Sequence, residues 1–178
     1  MKNPWKTVKK NKIYQNKFGY TLWDNDVINP KGKPGKFMVL EKHDFVVIIA
    51  VTNDKKIIMV RQWRYTLSQE SLELPAGSAN ENEDILVSAK RELNEETGAV
   101  SHDWCELKSF WFSNGFMKHK GHIFLAKSAE LSGNMHYDDT ESIKVEAYSY
   151  PELLEMVDQS IIADERSVLG LFLVKKYL

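Results

Sequence analysis

The run Phe45–Val51, FVVIIAV, is seven apolar residues without a break, and it limits the fold more than any other stretch of the chain. It falls far short of the ~20 residues that a membrane span needs. An unbroken apolar segment of this length reads as a strand covered on both faces. Asn53-Asp54-Lys55 supplies a turn, and Lys56–Arg64 (KIIMVRQWR) returns as a second strand, so the pair is placed at the centre of a mixed sheet. Arg61, Trp63 and Arg64 fall near the end of that strand, just ahead of an LELPAG segment. Arginine suits bidentate recognition of phosphate, which makes Arg64 and Arg61 candidates for holding a diphosphate, with a structural ion pair as the alternative for each.

The chemistry is concentrated between Glu73 and Val100, ELPAGSANENEDILVSAKRELNEETGAV. A short apolar segment halts at Pro75 and Gly77, an acidic loop follows, and a helix carrying Arg91, Glu92, Glu95 and Glu96 closes at Thr97-Gly98. Glu92 and Glu96 are i and i+4, and Glu95 is i+3 from Glu92, so three carboxylates share one helical face. Their mutual repulsion is relieved by a hard cation with oxygen ligands. Arg91 is i, i+4 from Glu95 and is placed to fix one carboxylate, leaving two for metal. Leu86, Ala89 and Leu93 fall on a neighbouring face and dock the helix on a core, while Asn80 or Asn82 suits its start. The whole spacing is G-x5-E-x7-R-E-U-x-E-E-x-G-U, U being a bulky apolar residue, carried by Gly77, Glu83, Arg91, Glu92, Leu93, Glu95, Glu96 and Gly98. Its seven fixed polar or glycine positions recur by chance with a probability on the order of one in 10⁸. A merely solvated acidic face does not account for it. The last apolar position is the small Ala99, which bears on packing behind the helix.

A chain of 178 residues suits one compact domain with a core of its own. Lys plus Arg total 24 against 25 Asp plus Glu, a net charge of −1, which is no footprint for indiscriminate nucleic-acid binding. The single cysteine, Cys105, has no partner for an internal disulfide and is expected to be a small buried hydrophobe. The opening MKNPWKTVKK lacks the apolar core of a secretion signal, and no segment is long enough to cross a membrane. A cytoplasmic protein of a reducing compartment is the expectation.

From Trp5 to about Leu40 the pattern is of short strands (TVKK, KIYQ, YTLWDNDVI) divided by turns, with Asn29–Gly35 the densest. Trp104–Phe112 alternates like a strand, Ser113–Lys120 (SNGFMKHK) reads as a loop, and His122–Lys127 is strand again. His119 and His122, three apart across a loop-to-strand change, do not make a convincing ligand pair. A second acidic stretch, Met135–Val145, carries Asp138, Asp139 and Glu141 into a strand at Ile143–Tyr148, where it is able to fold back over a site and bring a general base. Pro151 begins a helix at Glu152–Asp158, and Ser167–Leu178 is a last, structural helix.

That spacing is the Nudix box, and the chain resembles the Nudix hydrolases. VRQWRY, LELPAG and RELNEETG in that order are most similar to the ADP-ribose pyrophosphatase group. The resemblance implies an α/β (α+β) fold: an α/β/α sandwich around a mixed sheet with a loop-helix-loop catalytic motif. It implies one domain over 1–178, with an N-terminal β-strand extension at 1–42 that dimerises and a core at 43–178. It also implies that several Mg²⁺ or Mn²⁺ ions assist water in attacking a phosphorus of a nucleoside diphosphate derivative. On the matching positions Glu92, Glu96 and the Ala76 carbonyl bind metal, and Glu141, or Asp139 as second choice, orients or deprotonates water. Arg91 and Glu95 orient the cluster, supported by Glu83, Gly77 and Gly98. Arg64 falls near the phosphates, with Arg61 beside it, Trp5 stacks on the base, and Phe116 of the SNGF loop touches substrate. Asn114 replaces that loop's usual proline, which bears on how the terminal ribose is held. The implied partners are a small nucleoside diphosphate derivative and a second copy of the chain, with no nucleic acid and no membrane. ADP-ribose, cleaved to AMP and ribose 5-phosphate, is the first expectation. GDP-mannose, another nucleotide sugar, a dinucleotide, or a regulator that binds such a metabolite without cleaving it are the alternatives.

Overall fold

The computed structural model describes residues 3–131 and 143–178. In chain order the elements begin with β1 (Lys6–Lys9), β2 (Lys12–Gln15), β3 (Thr21–Ile28), β4 (Pro34–Glu41), β5 (Phe45–Thr52) and β6 (Lys56–Arg64). There follow β7 (Gln69–Glu73), β8 (Ala76–Ser78), α1 (Ile85–Thr97), β9 (Ala99–Val100), β10 (Asp103–Trp111), β11 (Met117–Lys118) and β12 (Lys120–Leu131). The chain ends with β13 (Ile143–Ser149), α2 (Tyr150–Asp158), α3 (Glu165–Val174) and a 3₁₀ turn at Lys175–Tyr177. These elements make a mixed α/β fold, divided into two compact units: Met1–Asp44 with Phe110–Lys120, and Phe45–Ser109 with Gly121–Leu178.

The first unit is a sheet on which β1 and β2 both pair antiparallel with β3, β3 with β4, and β11 runs parallel to β4. The β3–β4 turn is tighter than its composition suggests. Asn29 Oδ1 accepts from the amides of Lys31 (2.9 Å) and Lys33 (3.0 Å), so Pro34 and Gly35 already belong to β4. Met117 and Lys118 form a short strand inside the segment expected to be only a loop. Trp5 meets Phe37 edge to face with ring centroids 5.4 Å apart.

The second unit is built on β5, whose residues Val46–Ala50 are wholly buried. One side of the strand, Val46, Ile48 and Ala50, packs with Ala89 and Leu93 of α1 and with Ile58, Phe124 and Ala126. α3 packs on β5 as well and contacts α2, giving a helix, sheet, helix arrangement within this unit. The sheet order is β10-β12-β5-β6-β13, with β12 parallel to β5 and β13 antiparallel to β6. β5 and β6 share one registered pair, Val51 with Ile57 beside their turn, and then part. Into that fork run β7, paired with β6, and β8, paired with β5. Pro75 makes the crossing between them: it lacks the N–H that would continue β7's ladder, and its carbonyl accepts from Ile48 N at 2.8 Å. The segment therefore does not halt at Gly77, which sits in β8 opposite Val46.

Four further details differ from the sequence expectation. α1 starts at Ile85 with Asp84 as its cap, because Asn82 is spent on a left-handed loop residue (φ 63°). α2 starts at Tyr150 under a capping box of Ser149 and Glu152, which places Pro151 one residue further in. α3 starts at Glu165 under Asp164 and gives way to the 3₁₀ turn at Lys175. Cys105 is exposed on β10, not buried. Among the described residues no helix is long and apolar enough to cross a membrane.

Candidate active site

α1 carries the site because its two sides are pinned independently. Ala89 and Leu93, fully buried, fix the helix on the core, Asp84 Oδ1 accepts from Leu86 N (2.9 Å) and Val87 N (3.2 Å) at one end, and Gly98 takes φ 64° at the other. Arg91 is the hub of what remains. Its Nε and Nη2 donate to the two oxygens of Glu83 at 3.1 Å each, Nη2 also to the Ser78 carbonyl at 3.1 Å, and Nη1 to Glu92 Oε1 (2.8 Å) and Glu95 Oε2 (2.9 Å). One guanidinium thus orients three carboxylates rather than the one expected from i, i+4 spacing, and ties the helix to β8. Glu83 also accepts from the Asn80 amide (3.0 Å) and the Ser88 hydroxyl (2.8 Å). Arg91 first, then these donors, draw the Glu83 carboxyl down to about 2. The carboxylates, Glu83 foremost, push the Arg91 guanidinium further above its already high range.

β8 closes the site from the other side. An ideal Cβ at Gly77 would lie 1.9 Å from Cδ of Glu92, so the glycine leaves the space the carboxylate fills. Ala76 N–H donates to Glu96 Oε2 at 3.0 Å, and Glu96 is only 6% exposed. The structure therefore brings together Ala76, Gly77, Glu83, Arg91, Glu92, Glu95, Glu96 and Gly98. Four glutamates against one arginine leave an excess of negative charge, with hard oxygen donors of the kind Mg²⁺ and Mn²⁺ accept. Among the described residues no three His, Cys, Asp or Glu side chains close into a ready-made metal cage. Glu92 is drawn to Arg91 and Glu96 to the Ala76 amide, so a cation must compete with these donors for the oxygens.

The remaining candidates are placed elsewhere. Glu141, like Asp138 and Asp139, lies outside the described residues. Arg61 donates to Glu146 through Nε (3.2 Å) and Nη2 (3.0 Å), in a cluster completed by Lys144 and Tyr148. Arg61 foremost holds the Glu146 carboxyl at about 2. Arg64 grips Glu73 with Nε at 2.7 Å and with Nη2. Trp5 and Phe116 belong to the first unit, both partly exposed. His122 bonds Glu106 through Nδ1 at 2.8 Å, and His119 is edge-on to Phe112.

Sequence reasoning missed Glu73, which is 2% exposed, and its second partner Arg166. The local pattern hid Glu73: an acid alternating with Leu72 and Leu74 reads as the solvent face of a half-buried strand, and its burial follows only from tertiary packing. Nothing local pointed to Arg166, which lies 93 residues away.

The NUDIX domain family model matches residues 42–168. The chain is 32% identical over 163 residues to the ADP-ribose pyrophosphatase of Bacillus subtilis (strain 168), covering 91% of this chain and 88% of that one. It is 32% identical over 166 residues to the methanol dehydrogenase activator of Bacillus methanolicus, covering 93% and 89%. The crystal structure of an ADP compounds hydrolase shares the fold with a TM-score of 0.86 at 19% identity, over 98% of this chain and 94% of that one. The box geometry and these matches agree: the chain belongs to the Nudix family and is a Nudix hydrolase similar to the ADP-ribose pyrophosphatases.

Proposed function

We propose that the protein hydrolyses the pyrophosphate linkage of a nucleoside diphosphate joined to a sugar, ADP-ribose first, to AMP and ribose 5-phosphate, with Mg²⁺ or Mn²⁺ as cofactor. The observation that carries this reading is the assembly of Glu83, Glu92 and Glu95 on Arg91 against Gly77, with Glu96 on Ala76 beside it. The similarity to an ADP-ribose pyrophosphatase over nine-tenths of the chain supports the substrate.

Glu92, Glu96 and the Ala76 carbonyl are the residues that would hold the cation. When bound, it neutralises the diphosphate and lowers the pKa of attacking water. Water oxygen bonds one phosphorus, the bridging P–O bond breaks with its electron pair leaving on the departing phosphate, and Glu141 takes the water's proton. Arg91 and Glu95 keep Glu92 and Glu83 oriented, so that the carboxylates need no reorganisation as substrate arrives. Arg64 and Arg61 serve the phosphates.

The reading extends to one hydrolase domain over the whole chain, acting as a cytoplasmic homodimer. The total of −1 hides an uneven division, twelve lysines against four acids in the first unit and twelve basic residues against 21 acids in the second.

Purified protein with ADP-ribose and Mg²⁺ or Mn²⁺ should release AMP, and removal of the cation with a chelator should stop it. Tight ADP-ribose binding without turnover across a panel of nucleoside diphosphate derivatives would instead mark a metabolite-binding regulator. Light scattering at micromolar concentration should give the mass of a dimer, and a monomer would refute that part.

A further inference from the structure

Outside the Arg91 assembly the second unit holds another network of buried charge. Glu73, at the end of β7, receives Arg64 along one edge, and its Oε2 also receives Arg166 Nη2 at 2.9 Å. Arg166 is itself gripped by Asp164 Oδ1 through Nε (2.9 Å) and Nη2 (2.7 Å). Asp164 Oδ2 caps α3, accepting from Ser167 N (2.9 Å) and Ser167 Oγ (2.7 Å). Ser167 Oγ in turn accepts from Leu74 N at 2.8 Å. The first turn of α3 therefore clamps Glu73 by its side chain and Leu74 by its backbone, three and two residues before Ala76.

The arrangement has a consequence for Arg64. Its Nε and Nη2 are committed to Glu73, while Nη1 has no hydrogen-bond partner among the described residues, and the side chain is 33% exposed. A guanidinium pinned along one edge with the other outward is oriented to receive an anion without first losing rotamer freedom.

We propose that Arg166, held by Asp164, is a positioning residue for substrate: by sharing Glu73 it sets the orientation of Arg64 at the substrate phosphates. This rests on the reading that Arg64 faces those phosphates, and goes beyond it by assigning the residue that makes it competent. Arg166 itself touches no substrate. Its removal therefore raises KM and weakens binding, acts through Arg64, and leaves kcat nearly unchanged.

The test is a double-mutant cycle of Arg166→Ala and Arg64→Ala, read as KM and kcat for ADP-ribose with Mg²⁺ and as Kd for ADP-ribose by calorimetry. Arg166→Ala alone should raise KM and Kd about tenfold with kcat within about twofold. In the Arg64→Ala background the same change should cost less than about twofold, because the residue it acts through is gone. Equal losses in both backgrounds, or a loss confined to kcat or to Tm, would overturn the proposal by showing a general structural role. Arg166→Lys keeps the charge but not the fork that spans Asp164 and Glu73, and should give a smaller KM rise with the same dependence on Arg64. It carries the comparison if the alanine variant fails to fold. An Arg64→Ala protein with wild-type KM and Kd would refute the clamp while wild-type turnover left the proposed function standing. Binding of ADP-ribose that follows the cycle, without any turnover, would do the reverse.

Discussion

Gly77→Ala tests whether the position of the Glu92 carboxylate limits turnover. The added methyl carbon falls 1.9 Å from Glu92 Cδ and 2.0 and 2.3 Å from its oxygens, where real Cβ contacts essentially never come under 3.0 Å, so a gap of about 1 Å must open. Gly77 lies in β8 opposite the fully buried Val46, and its strand has nowhere to retreat. The carboxylate is the far end of a flexible side chain and yields instead, leaving Arg91 Nη1, which it now meets at 2.8 Å. Loss of one part-exposed ionic hydrogen bond costs about 1 kcal/mol, or a fall in Tm of about 2–4 °C for a chain of this size. If Glu92 holds the cation as proposed, moving its carboxylate by about 1 Å costs turnover far more, on the order of 10²-fold in kcat/KM. AMP release from ADP-ribose under Mg²⁺ and scanning calorimetry measure the two quantities on the same preparation. In a Glu92→Ala background the glycine change should add nothing to the kinetic loss, since the displaced group is absent. A kcat/KM within about threefold of wild type would refute the reasoning, as would a collapse in Tm showing that the strand, not the side chain, gives way.

Glu96→Gln keeps the acceptor for the Ala76 amide but removes the charge, so Tm should hardly move. The loss of several kcal/mol of transition-state stabilisation should lower kcat by at least about 10³-fold, and a wild-type rate would remove Glu96 from the metal set. The Glu83 carboxyl lies at about 2 in the folded protein against an ordinary 4.5, so its pairing stabilises fully above pH 4.5 and is lost as pH falls from 4.5 to 2. Thermal melts should accordingly show wild type and Glu83→Gln furthest apart at neutral pH and converging across that window, and a constant gap would contradict the linkage. Ser167→Ala strands the buried Leu74 amide and should cost ~1–3 kcal/mol by urea unfolding, whereas no change would mean that the amide finds another acceptor. Leu93→Ala, at a fully buried position between α1 and β5, should cost ~2–5 kcal/mol in the same assay.

What the sequence made legible depended on how locally each feature is encoded. β5 announced itself because seven apolar residues in a row have few other places to go, and α1 because its glutamates, its apolar stripe and its closing glycine all follow one period of the helix. The start of α1 was not legible: Asn80, Asn82 and Asp84 are all good caps, and the choice falls to Asp84 only once Ala89 and Leu93 have docked on the core. Arg91 shows the same limit, since spacing along the helix found Glu95, while Glu83 and the Ser78 carbonyl reach it from a loop and strand that fold over it. For Arg64 the distance is longer still. The register of β7 on β6 sets Gln69, not Glu73, opposite Arg64, so its partner lies four positions along the same face, and Arg166 arrives from the far end of the chain with α3. The sequence therefore shows which groups could perform the chemistry before it shows which of their edges are already occupied. For Arg64 that second fact bears on the role proposed for it, because a guanidinium sealed on both edges is a strut, whereas one with Nη1 left without a partner among the described residues keeps an edge open to an anion.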